Sequence, residues 1–195
     1  LQMENALRNS ERRLTDIINY LPDATFVIDT TGTVIAWNKA IEEMTGIKAH
    51  DMIGKNDFEY ALPFYCEKRP ILINLALQLK DEKIEKKYPF IKREGNTLVT
   101  ELYVPMFQKR GAFLWVKAQP LYDANGNLMG AIETIRDITH LKEIEENLKK
   151  ANQSTQNIIQ NIPFGLYLVN NKGKIEYINQ EMSKISNASY EKLIG

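Results

Sequence analysis

Apolar and polar residues follow two rhythms along this chain. One is the alternation of half-buried strands. Thr25–Asp29 and Thr33–Trp37 read as strands, joined by the turn Asp29-Thr30-Thr31-Gly32, in which Gly32 supplies left-handed backbone. Leu98–Met106, Phe113–Tyr122 and Leu128–Arg136 also read as strands. Asp123-Ala124-Asn125-Gly126-Asn127 reads as the hairpin turn between the last two, because Asn-Gly accepts positive φ. Between these strands lie helical signals. Asn38 is placed to cap a helix through Ile41, Met44 and Thr45 that Gly46 ends. Ala49–Ile53 reads as a short helix ended by Gly54. Pro70 suits the first position of a helix running to Lys80. Its polar face is only Asn74 and Gln78, so it is expected to be buried on several sides or to line a cavity. Pro89 demotes Lys87–Arg93 to an edge strand or a loop.

The second rhythm is a heptad. Met3, Leu7, Ser10, Leu14, Ile17 and Leu21 are spaced by four and three, as are Leu141, Ile144, Leu148, Ala151, Thr155, Ile158 and Ile162. Two readings stay open. Each is an amphipathic helix packed on its own domain, or a parallel coiled coil joining tandem domains in a dimer. Ser10, Ala151 and Thr155 would weaken such a coil. Each seam precedes one copy of a repeat: residues 16–54 align without a gap to 157–195. Pro22 matches Pro163, Gly32 matches Gly173, Asn38 matches Asn179, and Ile53-Gly54 matches Ile194-Gly195. A repeat of this length is a domain used twice. The expectation is a fragment of a longer modular protein.

Composition narrows the picture. Lys plus Arg number 25 and Asp plus Glu number 25, so no nucleic-acid or anionic-membrane partner is expected. A single cysteine, Cys66, excludes an internal disulfide framework and fits a reducing, cytoplasmic compartment. Cys66 has no local base and reads as a structural rather than a reactive thiol. No apolar run approaches the roughly 20 residues that span a bilayer. The parent protein could still be anchored outside this fragment. Neither a nucleophilic triad, a metal cluster nor a phosphate-binding glycine loop appears, so no catalytic or metal residues are assigned. His140 reads as a solvated helix residue rather than a phosphoacceptor.

The order of elements alone says α+β, an antiparallel sheet with helices on one face. Particular residues say more. Phe26-Val27-Ile28-Asp29, Gly32, Trp37-Asn38, Gly46, Ile53-Gly54, Leu121-Tyr122-Asp123, Gly126, Gly130 and the ending Arg136-Asp137-Ile138-Thr139 together resemble the PAS domain family. The resemblance covers residues 15–139 and restarts at 156. Asn56–Tyr60 and Phe64–Pro70 look like a PAS subgroup common in prokaryotic sensor kinases. The resemblance implies a five-stranded antiparallel sheet with short helices on one face, flanked by signalling helices. The implied division is a helix over 1–21, a PAS domain over 22–139, a linker or coiled-coil helix over 140–161, and the start of a second PAS domain over 162–195.

The resemblance also implies a function. The fragment is expected to be non-catalytic, the signal-input part of a sensor histidine kinase, homodimeric through its flanking helices and binding a small molecule. Alternatives are a ligand-free dimerisation module, or the input domain of a cyclic-dinucleotide enzyme or transcriptional regulator. Haem is not expected, because neither His50 nor His140 lies on the long helix before the sheet. A flavin photoadduct is not expected either, because Gly54-Lys55-Asn56-Asp57 carries Asp where light-sensing members carry the cysteine. No particular cofactor is assigned. By analogy with ligand-carrying members, the pocket set is Val27, Leu114, Val116, Ala118, Ala131, Glu133 and Ile135 from the sheet, with Leu72, Asn74 and Leu75 from the helix. Glu133 inside would need a partner, a polar ligand or Asn74, whereas a one-residue slip in phase would leave it in solvent. Asp137 and Thr139 are the expected signal relay, since either side chain could satisfy amide donors at the exit helix.

Overall fold

The computed structural model describes residues 13, 15–78 and 82–186. Met3, Leu7, Ser10 and Leu14 of the first heptad, Leu79 and Lys80 of the apolar helix, and the Ile194-Gly195 end of the repeat lie outside the described residues. The chain divides into two compact units, one up to His140 and one from Leu141.

The first unit is built on an antiparallel sheet of six strands, not five, in the order β2-β1-β6-β5-β4-β3. β1 is Ala24–Asp29, β2 Val34–Trp37, β3 Lys92–Glu94, β4 Thr97–Val104, β5 Ala112–Tyr122 and β6 Leu128–Asp137. The added strand is β3, an edge that pairs only with β4. It forms because Gly95, at φ 60°, turns the chain back two residues before Thr97. The helices α1 (Lys39–Thr45), α2 (Ala49–Met52), α3 (Leu62–Tyr65), α4 (Leu72–Gln78) and α5 (Glu82–Glu85) lie between β2 and β3 in the chain. α4 starts at Leu72 rather than Pro70, and the Asn74 side chain accepts the Ile71 N–H ahead of it at 2.9 Å. Ile71, Leu72, Ile73, Leu75 and Ala76 are all buried, as an almost wholly apolar helix requires.

Pairing fixes which side chains share a face. Leu98, Ala118, Glu133, Phe26 and Trp37 form one row across the sheet. Thr100, Val116, Ile135 and Ala24 form the next. These rows are buried, and most of their apolar members join Leu72, Ile73 and Leu75 in the core.

Asn38 is the joint at the domain entrance. Its Oδ1 accepts the N–H of Thr25 and of Ile41, both at 2.9 Å. Its Nδ2 donates to the carbonyls of Asp23 at 2.9 Å and Ile18 at 3.2 Å. One buried amide thus ties the end of the incoming helical segment, the first strand and the first helix together.

The second unit contains most of α6 (Thr139–Asn161), the hairpin β7 (Tyr167–Val169) and β8 (Ile175–Ile178), and α7 (Gln180–Ser186). Asn179 repeats the Asn38 joint. It accepts from Leu166 N–H at 2.8 Å and Met182 N–H at 3.0 Å, and donates to Phe164 O at 2.8 Å and Ile159 O at 3.1 Å. All four partners fall at the positions that the repeat equates with Thr25, Ile41, Asp23 and Ile18.

Candidate functional site

The helix-covered face of the sheet holds a buried polar cluster centred on β6. Glu133 is 2 % exposed, in the row between Ala118 and Phe26. Its carboxyl accepts the backbone N–H of Ile73 on α4. Its Oε2 has no hydrogen-bond partner. Burial therefore dominates, and the carboxyl is pushed up to about 8, so that it holds its proton at neutral pH. The expected partner Asn74 is engaged elsewhere. Its Oδ1 takes Ile71 N–H, and its Nδ2 donates to the Tyr60 hydroxyl at 2.7 Å.

Three tyrosines share this interior. Tyr60, fully buried in the 3-10 turn Glu59–Ala61, has its phenol pushed up to about 12, by burial first and by the nearby Glu133 carboxyl as well. Tyr65 at the end of α3 and Tyr88 after α5 share a hydroxyl–hydroxyl hydrogen bond. Burial raises both phenols, and Glu133 adds to each. The Arg69 guanidinium lies over the Tyr65 ring, 3.8 Å from its centroid. Its Nε is buried without an acceptor. None of Tyr60, Tyr65, Arg69 or Tyr88 is evident as a site residue in the sequence. They come from separate short segments with no common period, and only the register of Glu133 brings them to notice.

The sequence-derived pocket set divides. Leu114, Val116, Ala118, Ala131, Glu133 and Ile135 lie on the helix-covered face, and Leu72, Asn74 and Leu75 lie on α4 above it. Val27 does not join them. It pairs with Ile132 and Ala36, whereas its neighbour Phe26 pairs with Glu133. Val27 is therefore on the opposite face, one residue out of phase with the expectation.

At the exit, Asp137 Oδ1 accepts the Thr139 N–H at 2.9 Å, capping the first turn of α6. The Thr139 hydroxyl does a different job. It accepts the Phe113 N–H of β5 at 2.9 Å, while Ile138 N–H donates to Phe113 O at 2.8 Å. The helix start is thus pinned to the neighbouring strand.

Other sequence-selected groups fall outside the cluster. Cys66 is exposed and closes α3 in left-handed backbone, φ 56°. His50 is exposed. Trp37 is buried, and its Nε1 donates to Ile47 O at 3.0 Å. Among the described residues, no group of three His, Cys, Asp or Glu could hold a metal, and no helix is long and apolar enough to cross a membrane.

A family model described as the PAS fold matches residues 12–138. This chain belongs to the PAS family. A second model, described as a PAS domain, matches residues 153–195, so the repeat is a repeat of PAS sequence. No curated protein sequence matches the chain. Among solved structures, the PAS domain of BvgS from Bordetella pertussis is 20 % identical, covering 75 % of this chain and 98 % of that one, with a TM-score of 0.47. A PAS domain from Colwellia psychrerythraea is 19 % identical, covering 66 % and 97 %, with a TM-score of 0.42. VqmA of Vibrio cholerae is 20 % identical, covering 66 % and 52 %, with a TM-score of 0.44. PAS membership makes the first unit a non-catalytic, signal-sensing module.

Proposed function

We propose that this chain is the signal-input part of a multidomain sensor, that its first PAS domain binds a small molecule in the interior around Glu133, and that the change leaves through Asp137 and Thr139 into α6. The observation that carries the reading is the placement of an unpartnered, buried carboxyl on β6, four residues before the cap of the exit helix. A core position that needed only packing would be served better by an apolar side chain. A ligand that engages Glu133 in one arrangement of α4 over the sheet, and not in another, shifts the balance between them by its differential affinity.

Leu141, Ile144, Leu148 and Ile158 are each at least half exposed on α6. Their heptad spacing supports a parallel homodimer through this helix, and a sensor histidine kinase is the parent that such a dimer suits. A transcriptional regulator or cyclic-dinucleotide enzyme is the alternative output, and a cytoplasmic position suits each. Mass spectrometry of the purified chain, native and then denatured, with an absorbance spectrum, tests the reading. A released compound supports it and identifies the ligand. A chain that releases nothing, and whose melting no metabolite pool shifts, overturns it in favour of a ligand-free dimerisation module.

A further inference from the structure

Two buried side-chain polar atoms are without a hydrogen-bond partner among the described residues: Glu133 Oε2 and Arg69 Nε. Both residues act electrostatically on Tyr65 and Tyr88, so the two orphans belong to one neighbourhood. Each unpartnered buried polar atom costs about 1–3 kcal/mol, so two in one place ask for a common occupant. Arg69 Nε–H is a donor only. The guanidinium brings one positive charge into the cluster. Resting on the sensor reading above, we propose that the occupant is a small organic monoanion bearing a carboxylate, which accepts from Arg69 Nε–H and also meets Glu133.

The chemistry fits the charge balance. Glu133 with its proton on is neutral and is itself a donor, so both orphans offer hydrogen to acceptor oxygens. One carboxylate then neutralises one guanidinium in a low-dielectric site. A dianion would leave a buried negative charge unpaired, and a cation would meet Arg69 with like charge. The groups facing Glu133 are Tyr60 from the 3-10 turn, Tyr65 from α3, Tyr88 after α5 and the Ile73 amide of α4. The phenols stay neutral through the range in which Glu133 ionises, so Glu133 alone sets the pH dependence near 8.

The test is calorimetric titration of the full chain at pH 7 with sodium salts of monocarboxylates from acetate to octanoate, pyruvate and benzoate. Succinate, butyramide, butylammonium and sodium chloride serve as comparisons. At least one monocarboxylate is expected to bind, and its matched amide at least tenfold more weakly. Affinity should fall about tenfold between pH 7 and pH 9, as ionised Glu133 repels the ligand. Arg69→Gln should abolish binding, while Glu133→Gln should keep it at pH 7 and remove its pH dependence. Tryptophan fluorescence melting confirms that each variant is folded. Binding that survives in Arg69→Gln, or an amide or amine that binds as well as the acid, overturns the assignment. So does silence across the whole panel, which would mean that ordered water fills the site. If the denatured chain nonetheless releases a neutral or cationic compound, the sensor reading stands and the monoanion alone is wrong.

Discussion

The most exposed step in this reasoning is the claim that Glu133 is buried with its proton on. Its consequence for stability has a definite sign. Below pH 4.5, the ordinary glutamate value, the carboxyl is neutral in the folded and unfolded chains alike. Between there and about 8, the unfolded chain releases the proton while the folded chain holds it. Stability then falls by about 1.4 kcal/mol per pH unit. Above about 8 both states are ionised, and the loss levels off at roughly 5 kcal/mol, a large share of the total for a domain of this size. Glu133→Gln cannot ionise, yet its amide oxygen can still accept the Ile73 N–H. Its stability should therefore vary little with pH across this window. Urea unfolding at pH 5.5, 7.0 and 8.0 measures the difference. Both tryptophans of the sequence, Trp37 and Trp115, lie before His140, so their fluorescence reports the first unit alone. The variant should gain about 3 kcal/mol on the wild type between the lowest and highest pH. Asp29 and Asp123 are held below the ordinary aspartate value, by Thr31 and Asn127 respectively, and titrate beneath this window. Parallel pH profiles for the two proteins would refute a buried, protonated Glu133.

Four further outcomes follow from named contacts. Asn38→Ala leaves the buried Thr25 and Ile41 amides without their acceptor and should cost about 2–4 kcal/mol, read by urea unfolding. Gly130→Ala places a Cβ 2.1 Å from the backbone carbonyl of Ile28, so β1 and β6 must part, and a fall of at least 2 kcal/mol is expected by the same assay. Arg136→Ala removes an exposed bidentate pair with Asp23, at 2.5 and 2.8 Å, and should cost at most about 1 kcal/mol, less at high salt. Thr139→Val removes the acceptor for Phe113 N–H and should raise amide exchange at Phe113 and the first turn of α6 while leaving the Glu133 region protected.

Much of the fold was legible because local chemistry and tertiary context agree. Gly32 and Gly46 sit at positive φ where the turn and the helix end demand it, at 86° and 76°, and Asn38 caps α1. The phase of β6 was readable because Glu133 alternates with the half-buried Ile132 and Thr134. The phase of β1 was not. β1 lies between β2 and β6, and both its faces are buried: Ala24, Phe26 and Ile28 on one, Thr25 and Val27 on the other. A strand buried on both faces has no polar side to mark the phase. β3 was ambiguous because all three of its residues are exposed, so no apolar alternation announces it. The polar cluster was the least legible part. Tyr60, Tyr65, Arg69 and Tyr88 stand in segments too short to carry a period, and only the pairing of β6 gives them a common centre.

That pairing also bears on how a change at Glu133 would travel. Glu133, Ile135 and Asp137 follow one another on the same face of β6, and the first and last are about 13 Å apart at ordinary strand rise. β6 is hydrogen-bonded to β1 from Ala24 to Asp29 and to β5 as far as Asp137, so its middle cannot bend independently of two neighbours. Beyond Ala24 the β1 pairing stops, and the end of β6 is held by β5 alone. There the chain becomes helix, through one carboxylate cap and the Thr139 and Ile138 bonds to Phe113. On the proposed mechanism, a displacement imposed at Glu133 moves a stiff strand and appears where restraint is weakest. The exit therefore needs no moving part of its own, and its three bonds set how much of the displacement α6 receives.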